Sequence, residues 1–213
     1  MRHSFLYYCG QRIIDMNTLT THHSTSDYLP WNTMLSLVRK LYRDKNYIMS
    51  LYIGCGAFFG LRVSDTKRLT WAMLLNDSTF SITEQKTQKN RTIKINPDFQ
   101  NHIRKCYSAL HIRDINSLCF VSQKHTVFST QRLNVVLKEI KDEYKIKDID
   151  HFSNHSLRKC FGRKVVEMAG ENSEMALIKL SELFNHSSVN VTRRYLGLRQ
   201  EELLNTYDCL DFS

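Results

Sequence analysis

The stretch NYIMSLYIGCGAFFGLRVSD, residues 46–65, decides how the rest of this chain is read. From Asn46 to Phe59 it is nearly all apolar, the mark of a helix buried on every side rather than one with a wet face. Gly60 then supplies a stop, because glycine takes the left-handed backbone that commonly closes a helix. The chain leaves this helix as Leu61-Arg62-Val63-Ser64-Asp65, with Ser64 placed to cap a short helix running to Leu69. Arg62 is the informative residue. A guanidinium beside an apolar run needs an anionic partner, since burying it unpaired is costly. Either Asp65 holds it as a structural pair or an external anion does.

Working outward, Trp31 to Arg43 sets Met34, Leu35, Leu37, Val38 and Leu41 at helical spacing behind Pro30, a residue suited to a helix entry. Residues 1–28 have no sustained period and read as an irregular arm or linker remnant. Downstream, Trp71 to Ile95 has a strand-like texture. Thr79–Thr83 and Arg91–Ile95 alternate by two around the polar turn Gln85–Asn90, which predicts a hairpin ended by Pro97. Helical patterns follow over about Asp98–Leu110, Thr130–Tyr144, His155–Met168, Ser173–Phe184 and Val189–Tyr195, with Gly170 closing the third of these. There are no internal repeats. The expectation is one domain over residues 29–197, mainly α with a small antiparallel β-sheet (α+β). A tail over residues 198–213 opens with an amphipathic helix from Leu198 to Tyr207.

Composition bounds the function. Of 213 residues, 42% are hydrophobic and 11% aromatic, enough for a sizeable core and against global disorder. Thirty Lys+Arg against twenty-one Asp+Glu give a net charge of +9, which favours a polyanionic partner, nucleic acid before membrane. The six cysteines are scattered without a Cys-x-x-Cys pair, so they read as reduced thiols rather than disulfides or a zinc site. His22-His23 is an isolated, solvated doublet. No secretory leader is visible, and no run reaches the roughly 18 apolar residues of a membrane span. These features predict a soluble, cytoplasmic protein with no membrane association.

Three further motifs carry chemistry. His155-Ser156-Leu157-Arg158 sets a His and an Arg three apart on one helical face. Lys159, Arg163 and Lys164 add charge nearby. Alone, such a pair usually marks a solvated face. Lys86 stands in a hairpin turn, where lysines are ordinarily solvated as well. Asn185-His186-Ser187-Ser188 precedes a short helical run that ends in Arg193-Arg194-Tyr195, and a lone tyrosine there is most often a packing residue.

Taken together and in this order, the pieces gain meaning. Gly-Leu-Arg-x-Ser-Asp, a hairpin Lys-Thr, His-x-x-Arg, and Asn-His-Ser-Ser with a Tyr nine residues beyond its His resemble the tyrosine recombinase (phage integrase) family. The resemblance covers about Leu29 to Phe212, the family's catalytic domain with its DNA breaking-rejoining fold. It implies that Arg62, Lys86, His155, Arg158, His186 and Tyr195 are catalytic, and that Asp65 is the supporting acid. Lys89 is the alternative to Lys86 if the turn register differs. Asn185 departs from the family pattern, which has a glycine before this histidine. Family members usually carry a separate helical core-binding domain that completes a clamp on DNA, and residues 1–28 are too short for it. The resemblance further implies double-stranded DNA as partner, a homotetramer on DNA built from monomers in solution, and a tail helix docking on a neighbouring protomer. Self-packing is the other reading of that tail.

The residue types make sense as chemistry too. Breaking a phosphodiester by displacement needs a nucleophile, charge stabilisation and a proton donor for the leaving oxygen. Tyr195 supplies the nucleophile and would conserve the bond energy as a phosphotyrosine. Arg62 and Arg158 fork onto non-bridging oxygens, where charge accumulates. His155 assists proton removal, His186 donates to the phosphate, and Lys86 protonates the departing 5′ oxygen. No acidic cluster of the two-metal type occurs in the sequence, and no cofactor or metal is implied. Two other readings fit parts of the pattern: a type IB topoisomerase, which shares the chemistry without partner sites, and a non-catalytic DNA-binding remnant.

Overall fold

The computed structural model describes residues 27–76, 78–122 and 126–198. The arm, the His22-His23 doublet and the tail helix beyond Leu198 lie outside these residues.

At the centre is α2 (Tyr47–Phe59), the apolar run, with Asn46 accepting from the Met49 amide at its start and Gly60 closing it at φ 57°. Nearly every α2 side chain is buried, as its uniform hydrophobicity requires. Neighbours pack closely where α2 has no side chain. A Cβ on Gly54 would overlap Phe99 of α5 (Pro97–Ala109), and one on Gly56 would overlap Leu157 of α7 (Asn154–Ala169). The amphipathic α1 (Trp31–Arg43) lays Met34, Leu37, Val38 and Leu41 into the same core. Each such side chain contributes about 1.5–3 kcal/mol when fully buried.

From α2 the chain passes through a short helix α3 (Val63–Thr66) and α4 (Trp71–Leu75) to the sheet. There β1 (Thr79–Thr83) pairs antiparallel with β2 (Asn90–Lys94), Thr79 opposite Lys94 and Thr83 opposite Asn90. Phe80, Ile82 and Ile93 face the core and the alternate residues of β1 face solvent, so the two-residue period reads correctly.

Several local expectations change. Ser64 lies inside α3 rather than capping it; the N-cap is Arg62, which makes no side-chain cap bond. Trp71–Leu75 is helical, because Thr70 caps the Met73 amide and Trp71 and Leu74 fall one turn apart on a buried face. The turn is one residue earlier than expected, since Asn90 pairs with Thr83. Pro97 does more than end the hairpin: it opens α5 behind the Asn96 cap.

The remaining helices are α6 (Thr130–Glu143), α7, α8 (Ser173–Phe184) and α9 (Val189–Leu196). They divide unequally between two cores. The main cluster spans Leu29 to Cys160, whereas Leu177, Leu180, Phe184 and Leu196 form a second, small one with Phe161, Val165 and Tyr195 at its edge. Helix α7 runs between the two.

Candidate active site

Two helix ends create the electrostatics of the site. The last carbonyls of any α-helix lack intrahelical partners and carry the negative end of its dipole. Here α2 and α8 both terminate at one place, and arginines fill those acceptors. Arg158, on the second turn of α7, donates to Gly60 O at 2.6 Å and to Phe184 O at 3.3 Å. Its guanidinium also stacks 4.0 Å from the centre of the Phe184 ring. Arg62 reaches the same Phe184 carbonyl at 2.7 Å, and Arg91 of β2 donates to Phe59 O at 2.6 Å. Arg158 is only 5% exposed, and burial lowers its pKa to about 10, so it remains charged at neutral pH.

Arg158 and His155 are set by the start of α7. Ser153 caps this helix in a reciprocal box with Ser156. Asn154, between them, accepts from the Tyr52 hydroxyl and donates to Asn134 Oδ1 at 2.7 Å, which pins the helix start to the core. His155 is exposed at the mouth. Partial desolvation of its ring, then Lys159 and Arg158, lower its pKa, so it stays a neutral proton acceptor.

The turn between α8 and α9 delivers His186 and Tyr195. Asn185 stands at φ 53°, in the left-handed region, and accepts from Lys89 Nζ at 2.9 Å. Asparagine is among the residues that tolerate this conformation, so the missing glycine leaves the turn intact. His186 Nδ1 lies 3.0 Å from the Thr192 hydroxyl one turn into α9. Burial, then Arg158, Arg62 and Lys86, lower its pKa. Tyr195 packs edge-on against His186, Phe184 and His155, with ring centres 5.3, 5.8 and 6.4 Å apart. Its ring is partly exposed, but its hydroxyl oxygen is buried and has no hydrogen-bond partner among the described residues. Burial pushes its pKa up to about 12, against the opposing pull of Arg158 and Arg62. Gly162 of α7 leaves room for α9 beside it, since a Cβ there would overlap the Leu196 side chain next to Tyr195.

Arg62, Lys86, His155, Arg158, His186 and Tyr195 all line one cleft of about 310 Å3, with Leu61, Val63, Ser64, Asn154 and Asn185 completing it. Every residue expected to be catalytic is therefore brought to one place. Of the two lysines, Lys86 lines the cleft and Lys89 braces Asn185. Asp65 does not hold Arg62. Its carboxylate accepts the Gln85 amide at 2.8 Å and lies 3.9 Å from the Arg68 guanidinium. The carboxylate on Arg62 is Glu84, at 2.7 Å, a residue missing from the sequence reading. A signal for it existed. The alternation that buries Phe80 and Ile82 puts residue 84 on the same inward face, and a charge there requires a partner. Among the described residues, no three His, Cys, Asp or Glu are grouped as a metal site, and no helix is long and apolar enough to cross a membrane.

This helical architecture with its small sheet is that of tyrosine recombinase catalytic domains. XerA recombinase matches with a TM-score of 0.66 at 20% identity, over 85% of this chain and 64% of that one. XerH bound to a palindromic difH substrate after cleavage gives 0.62 at 17% identity, over 97% and 60%. The Tn1549 transposon integrase with transposon right end DNA gives 0.66 at 15% identity, over 89% and 69%. The chain thus spans less than two thirds of the XerA and XerH chains. No curated protein sequence matches it. A model of the phage integrase family matches residues 31–202, and the chain belongs to that family.

Proposed function

We propose that this chain carries the catalytic domain, residues 29–197, of a site-specific tyrosine recombinase that cleaves and rejoins double-stranded DNA for a mobile element. The observation that supports this reading is the convergence of two arginines, two histidines, a lysine and a tyrosine from separate stretches of chain on one cleft. The oxygen of Tyr195 attacks the scissile phosphorus. A Tyr195–phosphorus bond forms, the bond to the 5′ oxygen breaks, and the DNA is left with a 3′-phosphotyrosyl end. The phenolic proton passes to neutral His155, and the departing 5′ oxygen takes a proton from Lys86. Arg62, Arg158 and His186 bind the non-bridging oxygens, where charge builds up in the transition state. Attack by a second strand's 5′ hydroxyl reverses these steps and exchanges strands. Monomers assembling as a tetramer on DNA, with the tail helix of one protomer on its neighbour, would couple the sites. Such chemistry belongs where the DNA is, in the cytoplasm.

The decisive experiment lets the protein select its own substrate. A library of nicked duplexes, randomised on both sides of the nick, is incubated with the chain, and DNA that stays attached through denaturant is sequenced. A recurring sequence attached through Tyr195, and lost in Tyr195→Phe, is the expected result. Adduct formation that survives this substitution removes Tyr195 as the nucleophile.

A further inference from the structure

Glu84 is the least expected group at the site: a buried carboxylate, 5% exposed, beside residues proposed to bind an anion. Its Oε2 takes Arg62 Nη1 at 2.7 Å and the Thr87 hydroxyl at 2.9 Å. Its Oε1 faces Arg91 Nη1 at 3.5 Å without a hydrogen bond. Its backbone accepts from the Gln88 amide and donates to Lys89 O, both at 2.9 Å, so Glu84 is also the residue on which the hairpin turn closes. Lys86 stands inside that turn. Although burial raises its pKa, the Thr87 hydroxyl and the Arg62 charge prevail and keep it below the usual range.

We infer that Glu84 is a positioning residue that ties the Lys86 turn to Arg62, so that the proton donor and the phosphate-binding guanidinium are presented as one unit. The assignment rests on the recombinase reading of the cleft. Three contacts support it. Through Thr87 the carboxylate fixes the turn one residue beyond Lys86. Through Arg62 it fixes the guanidinium that would meet the phosphate. The Asp65 carboxylate, receiving the Gln85 amide, holds the other flank of the turn and is not paired with the Arg62 guanidinium, which Glu84 takes. Lys86 itself is exposed, so its place over the cleft is set by the turn and not by packing of its own side chain. Arg91 gives Glu84 a second cation, so the carboxylate stays paired when a phosphate competes for Arg62.

The experiment separates proton donation from phosphate binding. The duplex recovered by the selection above is synthesised twice, with oxygen or with sulfur as the bridging 5′ atom. A thiolate leaves without a proton, so a defect in delivering Lys86 disappears on the sulfur substrate, whereas a defect in charge stabilisation persists on both. Glu84→Gln keeps the shape and removes the charge. It should slow oxygen cleavage about tenfold or more, the cost of a slightly misplaced group, and recover most of that loss on sulfur. Thr87→Val leaves the Glu84–Arg62 pair in place and removes the turn's link to Glu84, together with a long hydrogen bond from the Lys89 amide inside the same turn. It should show a smaller loss, about threefold or more, again confined to the oxygen substrate. Equal losses on both substrates for the two variants, or no loss for either, overturn the assignment of Glu84 alone. Wild-type chain that forms no adduct with either duplex overturns the reading of the cleft on which it rests.

Discussion

The two walls of the cleft are built differently. On one, Arg62 and Arg158 project from segments flanking the central helix α2, rooted in the large core, and their donors already rest on the carbonyls of Gly60 and Phe184. On the other, His186 and Tyr195 belong to the turn and helix behind α8, supported by the small cluster of Leu177, Leu180, Phe184 and Leu196. The Tyr195 hydroxyl has no hydrogen-bond partner there among the described residues. Residue 184 joins them, its carbonyl under both arginines and its ring against Tyr195. Charge stabilisation benefits from groups whose geometry is fixed before the reaction, because nothing then has to reorganise in the transition state. A nucleophile has to be free to engage, and an unsatisfied hydroxyl on a thin support is free in that sense. On the proposed reading, the arginine wall is preorganised for charge stabilisation and the tyrosine wall holds its nucleophile uncommitted.

The largest expected effect tests the first half of that contrast. Arg158→Ala should slow strand cleavage about a hundredfold or more, the typical cost of deleting one donor to a developing oxyanion. It should also lower folding stability by about 2–3 kcal/mol, since the carbonyls of Gly60 and Phe184 lose a charged donor inside the protein. Arg62→Ala should match the kinetic loss with a clearly smaller change in stability, its side chain being 19% exposed. Cleavage rates paired with urea titrations make the comparison. Arg62→Ala unfolding as readily as Arg158→Ala would mean that the wall is not graded by burial.

Next comes the support of the tyrosine. Leu196 is buried beside Gly162 and closes the small cluster, and Leu196→Ala should cost about 2–4 kcal/mol through the cavity it leaves. The loss should be local. Amide exchange should accelerate through α9 and the end of α8 while α2 keeps its protection. Equal acceleration in α2 would join the two cores into one cooperative unit and erase the distinction between the walls.

How much of this the sequence revealed follows the same division. Periodicity and caps are local signals, and they place α1, α2, α5 to α9 and the hairpin to within a residue or two. Chemistry-bearing types in a fixed order, with the resemblance they carry, pointed to six of the residues that line the cleft. What escaped depended on contacts distant in the chain. Arg62 finds Glu84 instead of Asp65 because folding the hairpin back brings residue 84 to the guanidinium, and nothing within a few residues of Arg62 encodes that. Helix α4 has a strand-like texture in the sequence because five residues are too few to show a helical period, and the Thr70 cap is a weak signal by itself. The Phe184 carbonyl was invisible for another reason: it is a backbone atom, exposed as an acceptor by the end of a helix, and no side-chain motif marks it.

A smaller effect compares two tyrosines. The Tyr52 hydroxyl is buried and bonded to Asn154, whereas that of Tyr195 is buried and bonded to nothing described. Tyr52→Phe should therefore lose about 1 kcal/mol, leaving Asn154 short of a donor, while Tyr195→Phe should be neutral or slightly stabilising. Thermal unfolding of the two variants is the measurement. A Tyr195→Phe protein destabilised as much as Tyr52→Phe would show that the hydroxyl has a partner, and the idea of a nucleophile held unsatisfied would fail.

The smallest effect is in pH, and it tells the two walls apart by window. His155 and His186 have folded pKa values lowered from 6.5, so between those values and 6.5 the unfolded chain binds more protons than the folded one. Stability then rises with pH across that window and declines as pH falls below about 6.5. Glu84 has a folded pKa lowered from 4.5, so its contribution is intact above that value and disappears as pH falls through the lower, folded one. Both act in the same direction at different pH. Replacing His186 with Gln should flatten only the upper part of the stability profile, and Glu84→Gln only the lower. On the proposed roles, cleavage should fall in the upper window, where His155 takes up a proton, and again in the lower one, where Glu84 loses its charge. If His186→Gln left the upper slope unchanged, the histidine would be titrating as it does in the unfolded chain, and the burial that separates the tyrosine wall from solvent would have to be given up.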